Sequence, residues 1–249
     1  MRAILVTACC SVLATSPVWA DDHDDQAEDW VQRIYMEHVK SDQHDAYKEV
    51  VADWNDCIRE ADDSAEWTVY KAETGDVDRY AFVLNQQRWA EFDEDTPELD
   101  ACYEQFKERY HAAVEKVYAT FDVYLGEHSH HVDDDTDRKI AWVTAFELDD
   151  SRAFLENVKK YAEAAAEKDW HEPFYFYSSI GGEHNSGIYV VSPAASFAEF
   201  DGDNGFWKML EEHFGEEEFN KMREIDREAI TSYYADIWVR NDDLSHMKD

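Results

Sequence analysis

An internal repeat constrains this chain more than any other feature. Trp89-Ala90-Glu91-Phe92-Asp93-Glu94 returns as Phe197-Ala198-Glu199-Phe200-Asp201-Gly202, about 108 residues later. The segments before the two copies match at the same spacing: Arg79–Leu84 and Gly187–Ser192 are both strand-like runs. A long amphipathic helical stretch follows each copy, and then an acidic pair, Asp134-Asp135 or Asp242-Asp243. A short motif can recur by chance. A motif embedded in a repeated order of elements calls for a fold of two equivalent halves.

Each half reads β-α-β-β-α-β. In the first half the strands are Trp30–Val39, Trp67–Glu73, Arg79–Asn85 and Tyr124–Val132, and the helices are Asp42–Ala61 and Pro97–Phe121. Thr96 is the expected N-cap of the second helix, with Pro97 in its first turn, where the missing N–H costs nothing. In the second half Ile140–Leu148 is a strand, and Ser151 caps a helix to about Lys168 that places Phe154, Leu155, Val158, Ala162 and Ala165 on one face. Phe174–Ile180 and Gly187–Ser192 flank a hairpin turn containing His184. Phe206–Ile230 is mainly helical with a break at Gly215, and Tyr233–Arg240 closes the unit. Right-handed crossovers then give each half a four-stranded antiparallel sheet with both helices on one face, the ferredoxin-like unit. The predicted class is α+β: two tandem units, 21–135 and 136–249, whose sheets pack face to face as an intramolecular barrel.

The N-terminus, MRAILVTACCSVLATSPVWA followed by DDHDDQ, reads as a signal peptide over residues 1–20. Arg2 supplies the n-region, Ala3–Leu13 the apolar h-region, and Val18-Trp19-Ala20 a small-x-small cleavage site. The expected protein is exported, to a periplasm or the exterior, and no later apolar run is long enough to span a bilayer. Cleavage removes Cys9 and Cys10 and leaves Cys57 and Cys102. In an oxidising compartment such a pair is a disulfide candidate, the alternative being two small buried apolar residues.

Acidic residues outnumber basic ones 58 to 23, for a net charge of −35. That excludes a protein that grips nucleic acid by neutralising phosphates. The acidic runs read as solvated surface. Asp133–Asp137 is not an EF-hand loop, because it lacks the Gly at the sixth position and the Glu at the twelfth.

The order of elements and the repeat together resemble the dimeric α+β barrel superfamily, here as a tandem fusion covering nearly all of residues 28–243. That superfamily includes the antibiotic-biosynthesis monooxygenases and the haem-degrading monooxygenases. The resemblance implies a range from cofactor-free oxygenases through haem enzymes to members of no known activity. The haem-degrading branch uses an Asn on its first strand. Neither Trp30–Val39 nor Ile140–Leu148 contains one, so no catalytic residue carries over and the cofactor stays unassigned. The fold also suits the cysteines. Its two helices run antiparallel, so Cys57, late in the first on the stripe Tyr47, Val50, Trp54, Ile58, neighbours Cys102, early in the second on the stripe Leu99, Phe106, Tyr110, Ala113, Val117. A Cys57–Cys102 disulfide is expected. One chain also covers its own sheets, so a monomer suffices.

For chemistry, the sharpest pattern is Glu127-His128-Ser129-His130-His131. On a strand, His128 and His130 would share a face and could ligate Zn or Cu, with a third ligand from elsewhere. The alternative is a polar edge strand with surface histidines. The repeat aligns Asp236 and Trp238 with them. His184 sits in a Gly-rich turn, His171 and His213 lack a motif, and Ser178, Ser179, Ser192 and Ser196 lack a nucleophile elbow. Aromatics make up 14% of the chain, enough to put rings on both faces of the strands and to line an apolar cavity. Three readings follow: a non-catalytic protein binding a small apolar molecule or a protein partner, an oxygenase-like enzyme (cofactor-free or haem-using) with its site in the barrel cavity, and a metal-binding protein using His128 and His130.

Overall fold

The structure, a computed structural model, describes residues 30–61, 65–84, 88–93, 95–134, 136–182, 187–202 and 205–247. The expected leader and His184 lie outside these residues. The first half comprises β1 (Val31–Val39), α1 (His44–Glu60), β2 (Trp67–Ala72), β3 (Arg79–Leu84), α2 (Pro97–Ala113) and β4 (Val114–Tyr124). The second comprises β5 (Ile140–Leu148), α3 (Ser151–Glu167), β6 (Tyr175–Gly181), β7 (Ile188–Ala194), α4 (Phe206–Phe214), α5 (Glu216–Ala229) and β8 (Ile230–Arg240). No described helix is long and apolar enough to cross a membrane.

The strands close into one barrel in the order β1-β3-β2-β8-β5-β7-β6-β4. Each half therefore contributes the order β4-β1-β3-β2 or its equivalent β8-β5-β7-β6, the ferredoxin-like arrangement. The halves meet edge to edge as well as face to face. β2 pairs with β8 through Tyr70↔Arg240 and Ala72↔Trp238, and β4 pairs with β6 through Asp122↔Ser179 and Val123↔Ser178. Closure removes the free edges that a single unit would expose.

Strand parity sorts the side chains. On β1, Gln32, Ile34, Met36 and His38 face the barrel interior, while Tyr35 and Val39 pack with the helices. The first helix–sheet core gathers Val39, Tyr47, Ile58, Val69, Tyr80 and Leu244, and the second Phe154, Val158, Phe176, Leu210 and Met222. Leu244 crosses from the end of the second half into the first core: Asn55 Nδ2 donates to its carbonyl at 2.9 Å, and Trp67 and His246 exchange backbone hydrogen bonds of 2.9 Å. Cys57 and Cys102 form a disulfide between α1 and α2, with Cα atoms 5.9 Å apart.

Three expectations need correction. α2 ends at Ala113 rather than Phe121, and the fourth strand is Val114–Tyr124 rather than Tyr124–Val132. The run from Val114 is rich in β-branched and aromatic residues, and pairing with β1 from Val31↔Val123 to Val39↔Val114 satisfies its backbone in the sheet. Val117 is thus 41% exposed on a strand instead of completing a helical stripe. Second, α3 is capped by Asp150, whose side chain accepts from Ala153 N, and Ser151 is its first helical residue. Third, the repeat spacing grows to about 116 at the last strands, Val114 against Ile230, because two helices joined at Gly215 replace the single α2. The counterparts of Asp236 and Trp238 are therefore Thr120 and Asp122, not the two histidines.

Candidate functional site

The strands of the second half wall two cavities, one on each face. Inward parity puts Ala141, Val143, Ala145, Tyr177, Tyr189 and Val191 into a barrel cavity of about 510 Å³. Outward parity puts Trp142, Thr144, Phe146, Phe176, Val190 and Ser192 into a cavity of about 700 Å³ under the helices. Rings on both faces, expected from composition, are how the sheet serves both.

The outer cavity is the more aromatic. Trp142 meets the edge of Phe200, within the repeated motif, at 5.1 Å, and Phe206 packs against Trp170 at 5.5 Å and Phe174 at 5.7 Å. Offset and edge-on packing of this kind leaves ring surfaces that suit a planar apolar guest. Glu172, Glu199, Thr144 and Ser192 also line it, and one connected polar cluster is buried in its wall. Asp226, 4% exposed on α5, accepts from Tyr161 Oη at 2.7 Å and from Asn157 Nδ2 at 3.1 Å. Arg223 Nη1 lies 3.6 Å from Asp226 Oδ2, and its guanidinium covers the Trp207 ring at 4.0 Å. Burial, followed by the neighbouring Asp226 charge, pushes the Tyr161 hydroxyl far above its ordinary range, so it stays a proton donor. In the first half the matching outward positions carry Arg33, whose guanidinium covers Tyr35 at 4.6 Å, and Phe121, packed by Trp89 at 5.3 Å.

At one end of the barrel cavity Asp122, 2% exposed, accepts from Tyr189 Oη at 3.0 Å and Thr120 Oγ1 at 3.1 Å, both at Oδ2. Tyr189 Oη in turn accepts from Gln32 Nε2 at 3.0 Å. Burial raises the Asp122 carboxyl above the usual carboxylate range, partly offset by the hydroxyls of Ser179, Tyr189 and Thr120. Toward the other end, Arg79 Nη2 pairs with Asp236 Oδ2 at 2.7 Å, joining β3 of one half to β8 of the other.

The histidines singled out by sequence lie elsewhere. His128 ends a 3-10 turn, Gly126–His128, and burial lowers its basicity. His130 is buried, with Nε2 2.6 Å from the Trp170 carbonyl and its backbone bridged to Phe174. Strand alternation thus does not put the two imidazoles on one face. Among the described residues no group of three or more His, Cys, Asp or Glu side chains gathers to hold a metal. His171 lies 3.6 Å from Glu172, and His213 lies 3.9 Å from Glu167. Ser179 lines the inner cavity and Ser192 the outer. Sequence reading passed over Asp122, Tyr189, Arg223 and Asp226. Asp122 fell between the misplaced α2 and β4, and the helical acid Asp226 looked like one more surface charge in an acidic chain.

No family model matches this sequence, and no curated protein does. Solved structures do match in shape. A candidate monooxygenase from Lactobacillus acidophilus aligns over 86% of this chain and 94% of its own at a TM-score of 0.52 and 11% identity. A candidate monooxygenase from Fusobacterium nucleatum aligns over 85% of this chain and 92% of its own, at 0.51 and 11%. Chlorite dismutase from Candidatus Nitrospira defluvii, in complex with imidazole, aligns over 87% and 93%, at 0.51 and 11%. The chain therefore has the tandem dimeric α+β barrel fold of these proteins, and identities this low speak of the fold alone.

Haem, which that fold accommodates in some members, needs an axial donor to iron. No His, Cys or Met is among the described residues lining the outer cavity. Tyr161 has its hydroxyl engaged by Asp226, and Tyr233 is 69% exposed. The described lining of the outer cavity therefore offers haem no His, Cys or Met as an axial donor.

Proposed function

We propose that this chain is a cofactor-free, oxygenase-like enzyme acting on an apolar aromatic small molecule, with the outer cavity of the second half as its substrate site. The observation that carries the reading is the Asp226–Tyr161–Arg223 cluster set into a wall rich in aromatic rings, where the other acids are Glu172 and Glu199 among the described residues. The barrel fold shared with two candidate monooxygenases supports it. A volume of about 700 Å³ suits a molecule of two or three fused rings.

The chemistry asked of the site is modest. A substrate methylene acidified by flanking aromatic and carbonyl groups gives a proton to Asp226, and Arg223 stabilises the negative charge that develops. The carbanion supplies the electrons that reduce O₂. One oxygen atom becomes the new carbonyl, the other leaves as water with the two methylene hydrogens, and no external reductant is consumed. Aromatic walls keep bulk water from quenching the carbanion.

The test uses purified full-length protein and a tricyclic aromatic ketone with an acidic methylene. Trp142, Trp170 and Trp207 line the cavity, so binding is read as tryptophan quenching and turnover as O₂ uptake. One O₂ consumed per ketone oxidised, lost in Thr144→Trp, is the expected result. Quenching without O₂ uptake across such ketones would instead favour a non-catalytic carrier of apolar molecules and overturn the enzyme reading.

A further inference from the structure

Among the described residues, three carboxylates line the barrel interior, Asp76, Asp122 and Asp236. Asp236 is paired with Arg79 at 2.7 Å, and Asp76 Oδ2 lies 3.0 Å from His38 Nδ1. Asp122 differs. The hydroxyls of Tyr189 and Thr120 donate to Oδ2, and that of Ser179, its neighbour on β6, lies close enough to favour the charged carboxylate, but none of them reaches Oδ1 in hydrogen-bond geometry, and Oδ1 is buried. A buried carboxylate with neither a countercharge nor a full set of donors is costly, and natural cores seldom retain one without a use.

What surrounds Asp122 narrows that use. Tyr177 and Tyr189 stack at 5.2 Å beside it, and such rings present electron-rich faces. Along the barrel from this end the wall turns apolar, with Ile34, Val143 and Val191. Tyr234 lines the same cavity while 54% exposed, so the cavity reaches solvent beside Tyr189, its neighbour across β5. A net charge of −35 draws cations toward any such opening and repels anions.

We propose that the barrel interior is a binding site for a small organic cation, an amine whose N–H donates to Oδ1 of Asp122 and whose apolar body lies against Ile34, Val143 and Val191. The amine supplies both things that Asp122 lacks, a positive charge and a donor. An alcohol supplies only the donor, and a carboxylate neither. The cavity, about 510 Å³, suits a one-ring or short-chain amine. This site is on the opposite face of the strands from the substrate cavity and does not depend on the oxygenase reading.

Calorimetry of the full-length protein at low salt and neutral pH, with benzylamine, benzyl alcohol and benzoate as probes, tests the assignment. Benzylamine should bind in the wild type, benzyl alcohol at least about tenfold more weakly, and benzoate not at all. Asp122→Asn should weaken benzylamine by about tenfold or more, Val143→Trp should abolish its binding, and Thr144→Trp, in the outer cavity, should leave it unchanged. No benzylamine binding at millimolar concentration, equal binding of the alcohol or of benzoate, or an Asp122→Asn protein that binds as before would overturn it. So would loss of binding in Thr144→Trp. Should Asp122→Asn fail to fold, the ranking of the three probes on the wild type decides.

Discussion

Tyr110 donates its hydroxyl to Glu37 Oε1 at 2.7 Å, pinning α2 to β1 through a carboxyl group that Tyr47, from α1, holds at the same distance by its other oxygen. Burial raises the Glu37 carboxyl from 4.5 to about 7, with the two tyrosine hydrogen bonds pulling the other way. Between those two values the folded chain holds a proton that the unfolded chain has released. Stability therefore falls as pH rises from about 4.5 to about 7 and is flat beyond. Glu37→Gln removes the titration. Urea unfolding at several pH values should show the wild type losing up to about 3 kcal/mol relative to the variant across that window. Parallel pH profiles would contradict the assignment.

The disulfide ties the end of α1 to the start of α2, spanning 45 residues of sequence. Closing a loop of that size constrains the unfolded chain, so Cys57→Ala with Cys102→Ala should cost about 3 to 4 kcal/mol. Denaturant midpoints with and without reductant measure it. Thiol labelling of the unfolded, unreduced chain should find Cys57 and Cys102 blocked.

A second seam runs between the halves at Gly75. Its φ is +69°, and a Cβ there would sit 2.6 Å from Asp236 Oδ1 and 3.0 Å from Arg79 Nη2. Gly75→Ala therefore combines the left-handed penalty, about 1 kcal/mol, with displacement of the Arg79–Asp236 pair. In an Asp236→Ala background only the backbone penalty should remain. A cycle with no coupling energy would mean that the pair absorbs the methyl group without moving.

Much of the fold was legible because it rests on periodicity and repetition. Gln32, Ile34, Met36 and His38 alternate as a strand must, and Tyr47, Val51 and Ile58 repeat as a helix must. The failure at Ala113–Val114 has a physical cause: helix and strand abut with no turn residue between them, so nothing local marks the change. Pairing with β1 settles that boundary, and β1 is distant in sequence. The misplaced strand then put His128 and His130 on a ladder they do not join. Asp122 and Asp226 were illegible for another reason. In a chain with 58 acidic residues, two carboxylates that face cavities look like all the rest until burial is known.

Asp226 separates binding from turnover in the outer cavity. Its carboxylate lines that cavity and is held by both Tyr161 and Asn157, contacts that fix its orientation. Asn has nearly the same shape and can still accept from Tyr161 Oη, but its amide nitrogen then faces the Asn157 amide that donates to Oδ1, so Asp226→Asn should fold at a cost of about 1 to 3 kcal/mol and should quench with ketone within a few-fold of the wild type. It cannot take a proton. O₂ uptake should drop by about 100-fold or more at saturating ketone, the scale expected for loss of a general base. Arg223→Lys keeps the charge but loses the planar group stacked over Trp207, and should weaken binding and turnover together. Were Asp226→Asn to turn over at the wild-type rate, the base would have to be sought elsewhere in the cavity wall.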